Sequence, residues 1–157
     1  MDLEGRGTIH QGSVAPGVAQ AYTLVMWALT LLFFLRVLGQ LLVAFFDAAF
    51  LPPMEEWYSG LLPYPILLPI QILILTFQVK VCMDFTRGYG FFVVQRRAMG
   101  RFVLWFSYIY FASMLMRYII TMALYPDKRW FGETIPIFFH FVLAGYLFAL
   151  GHFHSKR

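Results

Sequence analysis

The chain has 157 residues, of which 61% are hydrophobic and 20% aromatic, while only 13% are charged. A soluble domain carries roughly 25% charged residues, so this chain cannot cover a globular surface with polar groups, and an integral membrane protein is the class that remains. The formal net charge of +4 does not point to nucleic acid, because the basic residues cluster at the ends of apolar runs, where they act as topology determinants.

Residues 1–20 read as a cytoplasmic tail. The tail is polar, carries Asp2 and Glu4 and has no basic segment ahead of a short apolar stretch, so it is not a cleavable signal peptide. Residues 21–46 form the first expected span; a crossing helix needs ~20 apolar residues, and this run suffices despite Arg36 and Gln40. A Pro-containing turn follows, then a second span over 61–83. Pro63 and Pro65 suit a helix start, whereas Pro69 lies deeper and is expected to bend the helix. Residues 84–101 form the main polar loop, with Arg87, Arg96, Arg97 and Arg101 around an apolar centre that suits the membrane interface. The third and fourth spans are expected over 102–124 and 134–150. The transmembrane domain thus runs over 21–154 and ends in a basic tail, 155–157.

The expected fold is an all-α membrane protein with four transmembrane helices. The arginine-rich central loop and Lys156-Arg157 fall on one side with Arg6, which places both termini in the cytoplasm by the positive-inside rule. A bacterial inner membrane is the expected setting. The two corners on the opposite side resemble each other: Leu51, Pro53, Trp57 and Tyr58 recur in register as Leu124, Pro126, Trp130 and Phe131. This reads as two parallel-repeat hairpins related by a pseudo-two-fold along the membrane normal. The axis would bring the acidic pair Glu55 and Glu56 to the basic pair Lys128 and Arg129, with Trp57 and Trp130 in an outer aromatic belt. Close helix packing is expected at the small-residue pairs Gly145/Ala149 and Ala44/Ala48.

The informative residues are the polar ones at membrane depth. Arg36, Gln40 and Asp47 share one face of the first helix, and Gln71 and Gln78 share one face of the second. Gln71 lies at a depth similar to Arg36 and is expected to accept a hydrogen bond from it. Tyr110, Ser113, Arg117 and Thr121 form a polar stripe on the third helix, and His140 lies near the start of the fourth. If they converge, Arg36, Gln40, Gln71, Arg117 and His140 make a cationic, hydrogen-bonding pocket in the outer half of the bundle. The plainer alternative is that Arg117 snorkels to headgroups and His140 is a satisfied interfacial histidine. Lys80, Asp84 and Arg87 are spaced as an ion-pair ladder at a helix end.

No cofactor is expected. His140 is the one histidine inside a span away from the cytoplasmic end, so a bis-histidine haem site across helices is not formed, and His152/His154 lack the carboxylate or Cys partner of usual zinc sites. Cys82 is the sole cysteine and reads as an apolar filler. No serine stands in a nucleophile-elbow context, and Gly88-Tyr89-Gly90 lacks the lysine of a phosphate loop. A membrane enzyme therefore has no recognisable constellation. The first functional expectation is a non-catalytic membrane subunit or scaffold, packed with other integral membrane subunits in a transporter or electron-transfer assembly. The alternative is a small homo-oligomeric carrier or binding protein for an anionic or quinone-like ligand at the outer pocket. The stretch from Arg117-Tyr118 to Trp130-Phe131-Gly132-Glu133 resembles the Arg … Trp-x-Glu region of the small membrane subunits of tripartite carboxylate transporters, which are four-helix chains of similar size. The resemblance spans one hairpin and lacks the paired Glu of those subunits; it implies a non-catalytic transporter subunit.

Overall fold

The computed structural model describes residues 16–46, 50–57, 63–124 and 134–156. They form four long helices and one short one: α1 (Pro16–Phe46), α2 (Met54–Trp57), α3 (Tyr64–Arg87), α4 (Arg97–Leu124) and α5 (Thr134–Ser155). Each of the four long helices contains a segment long and apolar enough to cross a membrane, so the chain is a multi-pass helical membrane protein.

The helices extend beyond the apolar runs at one end of the bundle. α1 begins at Pro16 rather than Ala21, α3 continues to Arg87, α4 starts at Arg97 and α5 ends at Ser155. Hydropathy marks where the bilayer stops, whereas a helix stops where its backbone groups find other partners. α3 ends on Gly88, whose left-handed φ of 72° lets its N–H close onto the carbonyls of Asp84 and Phe85. Its start is set by Pro63, whose carbonyl accepts from the N–H groups of Ile66 and Leu67, both at 3.0 Å. The helix runs through Pro69 without interruption.

Successive long helices alternate in direction. The described chain ends and the α3–α4 loop therefore share one end of the bundle, called here the terminal end, and α2 lies at the other, the corner end. α1 packs against α3 and α5, and α5 packs against α4; α2 tucks between α1 and α5. The long helices thus follow the spatial order α3, α1, α5, α4. A two-fold relating the hairpins would carry the α1–α5 contact onto a contact between α4 and α3, and those two helices do not pack against each other among the described residues. The likeness of the two corners in sequence is not matched by a symmetric packing of the helices.

The apolar core sits toward the terminal end, where Met26 of α1, Val81, Cys82 and Phe85 of α3, and Tyr146, Ala149, Leu150 and Phe153 of α5 meet. Two hydrogen bonds fasten the loop to α5: Gln95 Nε2 donates to the Phe153 carbonyl at 3.2 Å, and the Arg96 N–H donates to His154 Nδ1 at 3.3 Å. Asp84, 2% exposed, pairs with Lys80 as the ladder spacing predicts. Its carboxyl lies directly beneath Gly90, where a Cβ would fall 2.4 Å from the Asp84 Cγ and where φ is 134°. Only glycine meets both conditions.

α4 and α5 approach most closely at Gly100 and Gly151. A Cβ on Gly151 would lie 2.8 Å from the Leu104 backbone nitrogen, and one on Gly100 would lie 2.7 Å from the His154 carbonyl carbon. Small residues let helix backbones approach in a membrane, where lipid is as apolar as the core and contact must come from packing. The expected sites differ: Gly145 has ordinary clearance, 3.8 Å to Leu29, Ala44 is exposed, and Ala48 lies outside the described residues. Gly151→Ala is therefore expected to lower stability by about 1–3 kcal/mol, the usual range for overpacking, while Gly145→Ala changes it by less than about 0.5 kcal/mol. Unfolding of both variants in detergent micelles checks the contrast.

Candidate functional site

The inward face of α1 is set by helical periodicity. Met26, Thr30, Phe33, Arg36, Val37 and Gln40 recur at spacings of three and four and are all buried. Arg36 is 8% exposed and Gln40 is fully buried, so these two long polar side chains of the first span face protein rather than lipid. α3 answers with Gln71 and Gln78, 2% and 1% exposed, one heptad apart on one face.

The partner of Gln71 is Gln40, not Arg36. Gln71 Nε2 donates to Gln40 Oε1 at 3.0 Å. Antiparallel packing of α1 and α3 brings Gln40 level with Gln71. Arg36, one turn deeper, turns toward α5, with its Cζ 5.5 Å from the centroid of the Phe139 ring. Beside Phe139, His140 is hydrogen-bonded through Nδ1 to the hydroxyl of Tyr110 on α4, with the two rings edge-to-face at 5.8 Å. Arg36 thus stands over the chain neighbour of His140, and half-buried Arg117 lies seven residues, or about two turns, along α4 from Tyr110. The structure therefore gathers Arg36, Tyr110 and His140 from three helices, with the Gln40–Gln71 pair a turn nearer the corner end and Arg117 on the α4 flank.

Three buried polar atoms here have no partner: Arg36 Nε, Gln40 Nε2 and Gln71 Oε1. Exchanging nitrogen and oxygen in both amides preserves their mutual bond and still leaves one NH2 and one carbonyl unused, so the surplus does not depend on amide orientation. Each buried polar group without a partner costs about 1–3 kcal/mol.

A second polar layer lies nearer the terminal end. The Tyr146 hydroxyl donates to the Gln78 carbonyl at 3.0 Å, and Cys82 Sγ lies 3.4 Å from Thr30 Oγ1 and 3.9 Å from the Tyr146 hydroxyl. The Gln78 amide leaves both heteroatoms unpartnered. Tyr110 was legible from its place in the polar stripe of α4. Tyr146, inside an apolar run, gives no such signal. Of the remaining stripe, Arg117 and Thr121 are half-buried, whereas Ser113 is exposed and returns its hydroxyl to the Tyr110 carbonyl at 2.8 Å.

Trp57 lies inside the bundle rather than in an interfacial belt. Trp57 is 8% exposed, its Nε1 donates to the Pro52 carbonyl at 2.9 Å, and its ring lies on Gly39, where a Cβ would come within 2.7 Å of Cη2. Trp57 therefore plugs the bundle beside Gln40, because the bare backbone of Gly39 leaves room for the indole. Glu55 and Glu56 lie in α2, but their side chains, like Lys128, Arg129 and Trp130, fall outside the described residues, and so does the expected contact between the corners. Among the described residues no three His, Cys, Asp or Glu side chains are grouped to hold a metal ion. His154 accepts from Arg96, and the His152 ring stacks on Phe148 at 5.6 Å.

No family model, no curated protein and no solved structure matches the chain, and the local likeness to tripartite carboxylate transporter subunits gains no support from them. The site stands on its own geometry. Gln40→Leu alone strands the Gln71 amide and is expected to cost about 1–2 kcal/mol. The double variant Gln40→Leu/Gln71→Leu removes both partners and is expected to recover most of that loss. Denaturant unfolding of the two single variants and the double variant measures this coupling.

Proposed function

We propose that this chain is an integral membrane binding protein that takes an anionic or quinone-like ligand between its helices. The supporting observation is Arg36: 8% exposed, its Nε unpartnered, and no carboxylate beside it among the described residues. It lies ten residues from the end of α1 at Phe46, or ~15 Å along the axis, too deep to reach the corner-end surface easily. An arginine at the middle of a spanning helix costs at least about 2.5–3.5 kcal/mol, and such residues mark ligand or ion sites. A ligand with acceptor atoms offsets that cost by engaging Arg36 and Gln40 Nε2, with the Tyr110–His140 pair as the neighbouring wall. The expected phenotype follows: Arg36→Ala and His140→Ala each abolish saturable ligand binding while the protein still inserts and folds. Equilibrium binding in nanodiscs checks this, and unchanged affinity in both variants removes the reading.

A second reading, a non-catalytic subunit of a larger membrane assembly, draws on α4. Among its residues only Gly100 and Ser107 are buried, and Phe102, Trp105, Tyr108 and Ile109 face outward. A groove of about 300 Å³ between α4 and α5, lined by Ser107, Tyr108, Phe111, Phe141, Ala144 and Phe148, adds relief to this surface. Purification in mild detergent decides between a lone ligand-binding particle and a complex with other integral subunits. Both readings take the terminal end as cytoplasmic, from its Lys and Arg content, in a bacterial inner membrane. Both also take the hairpins as duplicated, from the likeness of their corners. Single cysteines introduced beside Trp57 and Trp130 are expected to label from the same, non-cytoplasmic side of oriented vesicles.

A further inference from the structure

We infer that the occupant of the Arg36 site carries a formal negative charge, as a carboxylate or phosphate monoester, and that a neutral carbonyl ligand of the quinone type is not its natural occupant. This rests on the binding reading above and narrows its ligand class.

The first argument is the charge inventory. Arg36 lies over Phe139, the chain neighbour of His140, and half-buried Arg117 stands seven residues along α4 from Tyr110, while Gln40, Gln71 and Tyr110 bring no charge. Asp84, the only acidic residue whose side chain is described, lies thirteen residues beyond Gln71 on α3, ~20 Å along the axis, and is already paired with Lys80. A neutral carbonyl can accept hydrogen bonds here but leaves the Arg36 guanidinium without an opposite charge among the described residues. An anion supplies acceptors and opposite charge together, and Arg presents a planar set of donors suited to carboxylate and phosphate oxygens.

The second argument is the surplus of hydrogen-bonding atoms. Arg36 Nε and one NH2 of the Gln40–Gln71 pair are donors without acceptors, against a single unpartnered carbonyl of that pair. An acceptor-only group such as a carboxylate satisfies both. The third is access. Among the described residues α1 and α4 do not pack against each other, so the flank between Arg36 and Tyr110 is not closed by a helix–helix contact. The charged head of an amphiphile, or a free small anion, can reach the site through that flank. The shared chemistry is the anionic head, and the test separates the sources.

The full chain in phosphatidylcholine nanodiscs is titrated with octanoate, octyl phosphate, octanol, a short-chain benzoquinone, acetate and inorganic phosphate, reading the shift in thermal unfolding midpoint and the dissociation constant. Octanoate or octyl phosphate is expected to bind at least tenfold more tightly than octanol or the quinone. Arg36→Gln is expected to erase that preference, and Arg36→Lys to retain part of it. Acetate or phosphate binding as well as its octyl counterpart supports a free anion as the source; preference for the octyl compounds supports a lipid headgroup. Octanol or quinone binding as tightly as the anions, unaffected by Arg36→Gln, overturns the charge inference and leaves the binding site standing. Absence of saturable binding by every probe overturns the binding reading itself. If Arg36→Gln fails to insert, the ranking of charged against neutral probes on the native chain decides alone.

Discussion

The absence of water from the hydrocarbon layer governs this structure. Within it a polar group must find its partner inside the protein, whereas an apolar side chain is as well placed against lipid as against a neighbouring helix. Burial is therefore sorted by polarity. Arg36, Gln40, Gln71, Gln78, Asp84 and His154 all face inward, while Leu24, Phe34, Leu73, Phe102, Trp105 and Ile119 face outward. A soluble domain inverts this arrangement. The rotation of each helix about its axis follows from where its few polar residues must point.

Packing then fixes the levels at which these residues meet. α1 and α5 are the two inner helices; α5 touches α1, α2 and α4, and its close approach to α4 through Gly100 and Gly151 sets the height of His140 against Tyr110. At the terminal end the Gln95 and Arg96 contacts and the Asp84 carboxyl beneath Gly90 bind the α3–α4 loop to the bundle. At the corner end Trp57 rests on Gly39, one residue from Gln40. The candidate site lies between these two fastened ends, and its helices are held there by contacts that do not involve the site itself.

The chemistry of the site is an imbalance. The Gln40–Gln71 bond uses one group of each amide and leaves a buried NH2 and a buried carbonyl unpartnered, one turn from the unpartnered Nε of Arg36. Polar groups buried for stability alone are normally closed into a complete network. An open network around a buried arginine whose Nε has no partner, with no carboxylate beside it among the described residues, is what a binding site for an acceptor-bearing ligand requires, and the proposed function derives from that difference. The second polar layer, around Gln78 and Tyr146, is likewise incomplete but holds no charge.

By itself the sequence determined the class, the existence of the four long helices, the alternation that puts the start of α1, the end of α5 and the α3–α4 loop at one end, and the inward face carrying Arg36, Gln40, Gln71 and Gln78. These are properties of composition and helical period, which act within a single helix or along the chain. Tertiary structure alone decided which helices touch, and hence that Gln71 meets Gln40 while Arg36 turns to α5. It also moved the tight helix contact to Gly100 and Gly151 and drew Trp57 inward onto Gly39. Such outcomes depend on relative height and rotation between helices, and these are set by shape matching at backbone contacts that no one-helix pattern encodes.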